Sequence, residues 1–157
     1  MVSTPVIGIV GNRGAFGAWL ARFCRERMGL TVIGRDPAGD TVLSERELLA
    51  ASNVLVFATP IRLAAGVIAH YAAIAEGSER DQLWLDLTSI KVAPVAAMLR
   101  SQAEVVGLHP MCAPPKAPTL KGRVLVVCEA RLHRWRPWLS GMLAALVFRG
   151  VANLLSR

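Results

Sequence analysis

What this sequence lacks narrows its class first. No apolar run reaches the roughly 18 to 20 residues a membrane-spanning helix needs, although 54% of the 157 residues are hydrophobic and mean hydropathy is +0.44. That apolar content therefore serves a core, which a chain of one-domain length buries without covalent staples. Cysteine is scarce. Cys24, Cys112 and Cys128 are odd in number and lack metal-ligand spacing, which excludes a disulfide framework and a zinc cluster. Reduced thiols, no bound metal and a cytoplasmic setting are expected. Met1-Val-Ser-Thr-Pro5 has no basic stretch, and the apolar run behind it is broken by Gly8 and Gly11, so no secretory leader is read. Acidic residues are few: 11 against 18 Lys plus Arg, a net charge of +7. Such an excess attracts anions. The densest basic group, Arg131, His133, Arg134 and Arg136, falls in one predicted helix start with no nucleic-acid-binding signature around it. An acidic small molecule is the expected partner, rather than nucleic acid or a membrane.

What is present is an alternation of strands and helices. Residues 5–10, 31–33, 53–58, 83–87, 104–107, 123–127 and 145–148 read as strands. Residues 15–27, a short segment opened by Ser44, and residues 61–75, 92–100 and 133–143 read as helices. In the first helix Phe16, Leu20, Phe23 and Cys24 share one face. Ser44 followed by Glu45 and Glu47 is a helix-start signature. Strands buried on both faces read as continuous apolar runs, as most of these do. The alternation predicts an α/β fold with a doubly wound, mainly parallel sheet in a single domain. The prolines of residues 113–119 predict a loop at the carboxyl edge of that sheet.

Gly11, Gly14 and Gly17 directly follow the first strand and open the first helix, as G-x-x-G-x-x-G. Gly11 permits a tight turn, Gly14 lets the backbone approach a pyrophosphate, and Gly17 lets the helix pack closely on the strand. The helix N-terminus then offers N–H groups to the phosphates. Gly11, Asn12, Arg13, Gly14, Ala15, Phe16 and Gly17 are thus a candidate dinucleotide cradle. Asp36 ends the second strand. A carboxylate there accepts bonds from the adenosine ribose and repels a 2′-phosphate, favouring NAD over NADP. Arg35 beside it could instead hold such a phosphate. Thr59 and Pro60 end the third strand and could border the nicotinamide ribose, though a plain strand-to-helix turn explains them nearly as well.

Two later motifs follow strands: Asp86-Leu-Thr-Ser-Ile-Lys91 and Gly107-Leu-His-Pro-Met111. His109 has an ordinary pKa near neutrality and is suited to take a hydroxyl proton while a hydride leaves. Ser89 could orient it or cap the next helix, and Lys91 could meet a substrate carboxylate. A histidine before a proline also serves as a simple structural hydrogen-bonder.

The three motifs, in this order and separation, closely resemble the prephenate/arogenate dehydrogenase family over about residues 6–148, its nucleotide-binding half. The resemblance implies a Rossmann-type domain and an NAD-dependent oxidative decarboxylation in tyrosine biosynthesis, of prephenate to 4-hydroxyphenylpyruvate or of arogenate to tyrosine. It implies His109 as the base at the ring hydroxyl and Ser89 as partner of that histidine and the substrate. Two departures stand out. The family usually continues H-P-M-F-G-P, whereas this chain reads His109-Pro-Met-Cys-Ala-Pro114, and Ala113 lacks glycine's backbone freedom. The family also carries a second, helical domain that supplies dimer contacts and grips the substrate carboxylates. Residues 1–150 are accordingly read as the dinucleotide-binding domain, and 151–157 as a tail or the start of that missing domain. A homodimer or a helical-domain partner is implied. Trp135, Trp138 and Val147 are candidates for an exposed docking patch, with core packing as the other role. Two other readings stay open: a shortened, non-catalytic dinucleotide- or partner-binding module, and a related oxidoreductase acting on a prephenate-like compound.

Overall fold

Short apolar runs with every residue buried cannot lie on a surface, and they form the centre of one sheet. A computed structural model describes residues 4–147 and the backbone of 151–153. In chain order the elements are β1 (Ile7–Val10), α1 (Ala15–Arg22) continuing as a π-helical segment (Phe23–Arg27), β2 (Val32–Arg35), α2 (Glu45–Ala51), β3 (Val54–Phe57), α3 (Ile61–Ala75), β4 (Leu83–Asp86), α4 (Val92–Met98), β5 (Glu104–Pro110), β6 (Leu125–Arg131), α5 (Arg136–Leu146) and β7 (Val151–Asn153). The sheet order is β2-β1-β3-β4-β5-β6-β7. Every pairing is parallel except β5 with β6. The fold is therefore α/β with a mainly parallel, doubly wound sheet.

Alternate residues of the central strands feed two cores. Ile7, Ile9, Val54, Val56, Leu83 and Leu85 meet α1 and α5 on one face. Leu55, Phe57 and Trp84 meet Leu48, Ile68, Tyr71 and Met98 of α2, α3 and α4 on the other. After β2 the chain returns across β1 to β3, so the strand order reverses between β1 and β3. A crevice opens at the carboxyl ends of the strands at such a reversal.

Three expectations need correction. The helix read over 133–143 runs as α5 to Leu146, because Leu139, Met142, Leu143 and Leu146 continue one buried stripe at three- and four-residue spacing. Ala145 and Leu146 are therefore helical, and Val147 is its C-cap rather than part of a strand; Phe148 lies outside the described residues. Val151–Asn153, read as a tail or helix start, instead pairs with β6 as a strand, while residues 154–157 lie outside the described residues. The basic group is not one helix start. Arg131 belongs to β6 and donates to the carbonyls of Ala103 and Ser101, Arg134 to Asp81, and Arg136 to Glu129. Of the suggested docking patch, Val147 is buried, and Trp135 and Trp138 meet edge to face 5.6 Å apart, half-buried against the core.

Candidate active site

The glycine loop is tight because backbone atoms occupy the space side chains would need. Gly11 has φ +88°, donates from its N–H to the Arg35 carbonyl at 2.8 Å, and would place a Cβ 2.6 Å from the Ala58 oxygen. A Cβ on Gly17 would lie 2.1 Å from the Gly11 oxygen. Gly14, the N-cap of α1, differs: its Cβ would make ordinary contacts, so the protein itself does not demand glycine there. No side chain caps α1 and no acidic residue stands in its first turn. The first-turn N–H groups of Ala15, Phe16 and Gly17 thus lack intrahelical acceptors. In α2, by contrast, Ser44 caps the helix as the sequence suggests, and Glu47 reaches back to the Ser44 N–H to complete a capping box. The opening of α1 is suited to receive an anion.

The loop is braced from β2. The Asn12 amide donates to Asp40 at 2.6 Å and stands over Gly34, where a Cβ would lie 2.3 Å from Asn12 Nδ2. Asp36 accepts from the Arg13 N–H at 3.1 Å and the Ala38 N–H at 2.8 Å. Its carboxylate therefore sits beside the loop and keeps further lone pairs for a ligand. Arg35, one residue earlier on an alternating strand, turns to the other face and donates to the Leu43 carbonyl at 2.7 Å. There it lines a groove of about 440 Å³ with Gly11, Pro37, Thr59, Arg62 and Tyr71. Thr59 Oγ1 and Asn12 Oδ1 are buried without a hydrogen-bond partner among the described residues. Thr59 lines that groove, and an orphaned hydroxyl there fits a ligand rich in hydroxyls. Pro60 is the N-cap of α3.

The second half of the site lies on the adjoining strand ends. Parallel pairing sets Asp86 of β4 opposite Gly107 of β5. Asp86 is fully buried. Its Oδ2 accepts from the Lys91 ammonium at 2.6 Å, the Thr88 hydroxyl at 2.5 Å and the Thr88 N–H at 3.2 Å. Lys91 also donates to the Leu108 carbonyl at 2.8 Å, so its ammonium is committed inward. Burial pulls its pKa down and Asp86 pulls it back up.

His109 lies within β5 rather than just beyond it, paired with Val126 of β6. Its ring is partly exposed and has no hydrogen-bond partner among the described residues. Burial and the Lys91 ammonium hold its pKa below the ordinary histidine value, against a weaker upward pull from Asp86. The imidazole is thus neutral near pH 7 and free to accept a proton. Ser89 is exposed on the β4–α4 loop and is not joined to His109, and Lys91 rather than Ser89 is the N-cap of α4. Ala113 holds no left-handed φ, so the alanine in place of the family's glycine brings no strain. Among the described residues no group of three or more His, Cys, Asp or Glu side chains could hold a metal ion, and no helix is long and apolar enough to cross a membrane. Asn12 and Asp40, Gly34, and the Asp86–Lys91 pair escaped the sequence reading in these roles. A glycine inside β2 was the available signal for the first group, since it often marks close approach.

Comparison with known proteins agrees with this arrangement. The T-protein of Enterobacter agglomerans is 32% identical over 142 residues, 85% of this chain and 34% of that protein. The chain thus spans about a third of that relative's length. Among solved structures, a reductive aminase from Aspergillus terreus in complex with NADPH and ethyl-5-oxohexanoate superposes with a TM-score of 0.73 at 17% identity, over 97% of this chain and 55% of that one. A pyrroline-5-carboxylate reductase from Coxiella burnetii gives 0.65 at 12% identity, over 99% and 60%. These likenesses establish the fold. Residues 20–132 match the family described as prephenate dehydrogenase, nucleotide-binding domain. With its glycine loop and its D-L-T-S-I-K and G-L-H-P-M segments at neighbouring strand ends, this chain belongs to that family.

Proposed function

We propose that the chain is the cofactor-binding half of an NAD-dependent dehydrogenase that oxidatively decarboxylates prephenate or arogenate. One observation carries the reading: a single carboxyl edge presents both an uncapped glycine-loop helix and a neutral, unpartnered imidazole. The loop Gly11–Gly17 would hold the pyrophosphate, Asp36 the adenosine ribose, and Thr59 and Pro60 the edge near the nicotinamide ribose. NAD, when bound, supplies the acceptor for the substrate's hydride. His109 takes the proton of the ring hydroxyl, which a base must accept as the ring carbon is oxidised. Ser89, exposed on the adjoining loop, is free to turn toward substrate and histidine.

Lys91 is committed to Asp86 and Leu108, so a substrate carboxylate is gripped by other groups. Ile90, Val92, Met111 and Val124 leave apolar surface on the segments around His109, Val92 being 83% exposed. Such surface supports a second body, a helical domain or a second subunit, covering this edge. The three free cysteines accord with a cytoplasmic setting.

The test is to supply NAD and prephenate to the chain, alone and with the separately expressed helical domain of a family member, and to follow formation of reduced cofactor. Turnover is expected in the complemented mixture. His109→Asn should lower it by about 10² to 10⁴ with NAD affinity little changed. Turnover unaffected by that substitution would remove His109 as the base.

A further inference from the structure

Lys91 lies in the segment that faces the substrate edge, yet the chain turns it inward along a path built for it. Its stem crosses β5 at Gly107. A Cβ there would lie 2.9 Å from Lys91 Cδ, 3.0 Å from Val95 Cγ2 and 3.1 Å from Asp86 Oδ1, so glycine keeps the lane open. At its end the ammonium is clamped by Asp86 Oδ2 and by the carbonyl of Leu108, the residue before His109. The Lys91 side chain is only 14% exposed and that of Asp86 not at all, so solvent screens this charge poorly.

We propose that Lys91 is a positioning residue for His109: threaded over Gly107 and clamped by Asp86, it holds a buried ammonium at the Leu108 carbonyl, one residue from His109, where its charge disfavours the imidazolium. This rests on the reading of His109 as the base. A like charge close by disfavours the imidazolium, so the base is ready at a pH where a free histidine would be half protonated. Asp86 anchors the lysine and, through its own charge, offsets part of the effect. Among the described residues, the charged groups acting on His109 are these two. On β6 its partner Val126 does not titrate, and Cys128 stands beside Lys91 rather than the ring. The lower pKa of His109 accords with this geometry.

The test needs no turnover. The chain has three histidines, His70, His109 and His133, so their ring signals can be followed by NMR against pH, with His109→Asn used for assignment. His109 in the unaltered chain is expected to titrate below the ordinary value of about 6.5. In Lys91→Gln, whose shorter side chain is polar but carries no charge, its midpoint should rise by about one pH unit. Lys91→Met should move it the same way, and Lys91→Arg should leave it low. A midpoint at or above the ordinary value in the unaltered chain, or an unchanged midpoint in folded Lys91→Gln, would overturn the proposal. If Lys91→Gln shifts the midpoint but His109→Asn leaves turnover intact, the tuning stands and the base assignment falls.

Discussion

Two glycine-to-alanine substitutions in helices should have opposite effects. In Gly17→Ala the new methyl would sit 2.1 Å from the Gly11 oxygen, with Gly11 C at 3.0 Å and Asn12 Cα at 3.1 Å. All three atoms are backbone, so no rotamer change relieves the contact. Helix α1 or the loop must move by roughly 1 Å to restore van der Waals distance. Overpacking of this kind costs about 1 to 3 kcal/mol. At about 3 °C per kcal/mol for a domain of this size, Tm should fall by roughly 3 to 9 °C. The same movement displaces the N–H groups of Ala15 and Phe16. Loss of one charge-assisted hydrogen bond to a phosphate weakens NAD by about tenfold or more. Gly141→Ala in α5 meets nothing within 4 Å. There alanine's better helix propensity should add about 0.5 to 1 kcal/mol, raising Tm by roughly 2 to 3 °C without touching NAD affinity. Thermal unfolding followed by circular dichroism, with calorimetric titration of NAD, checks both. A Gly17→Ala variant with unaltered Tm and affinity, or a Gly141→Ala variant as damaged as Gly17→Ala, would refute the reasoning.

Glu104 accepts the N–H groups of His133, Arg134 and Trp135 at 2.7 to 3.1 Å, capping the approach to α5 from another strand. Glu104→Ala should cost about 1 to 2 kcal/mol, read as a lower urea midpoint with an unchanged slope. Asp36→Ala should weaken NAD more than NADP, because it removes a ribose acceptor and also a carboxylate that repels a 2′-phosphate; equal losses by calorimetry would show that Asp36 only braces the loop. Burial pushes the Cys24 thiol up to about 12, so at mildly alkaline pH it should resist alkylation in the folded chain and react only on unfolding. Mass spectrometry of iodoacetamide-treated protein distinguishes the two.

Local signals carried most of the fold. Helix α3 runs from Ile61 to Ala75 as its sequence suggests, because Pro60 opens it and Glu76, in a left-handed conformation, followed by Gly77, ends it. The central strands were readable because burial on both faces demands continuous apolar runs. What escaped depends on partners far along the chain. Strand β5 extends through His109 and Pro110 because β6 pairs antiparallel with it, and nothing near residue 108 announces that partner. The segment around Val147 has strand-like composition, yet α5 extends to Leu146 because its stripe keeps finding the core.

The site divides in the same way. The glycine loop and Asp36 lie where the motif suggested, since Gly11 and Gly17 answer to nearby backbone. The inward turn of Lys91 required β4, β5 and α4 side by side. Gly107 looked like part of a motif around His109, but its steric role belongs to the lysine lane.

The central claim is that this carboxyl edge binds a nicotinamide dinucleotide. Calorimetric titration of the folded chain with NAD and with NADP tests it most directly. The account predicts one saturable NAD site, weaker NADP binding, and NAD binding weakened about tenfold or more in Gly17→Ala. A folded chain that binds neither dinucleotide would contradict it.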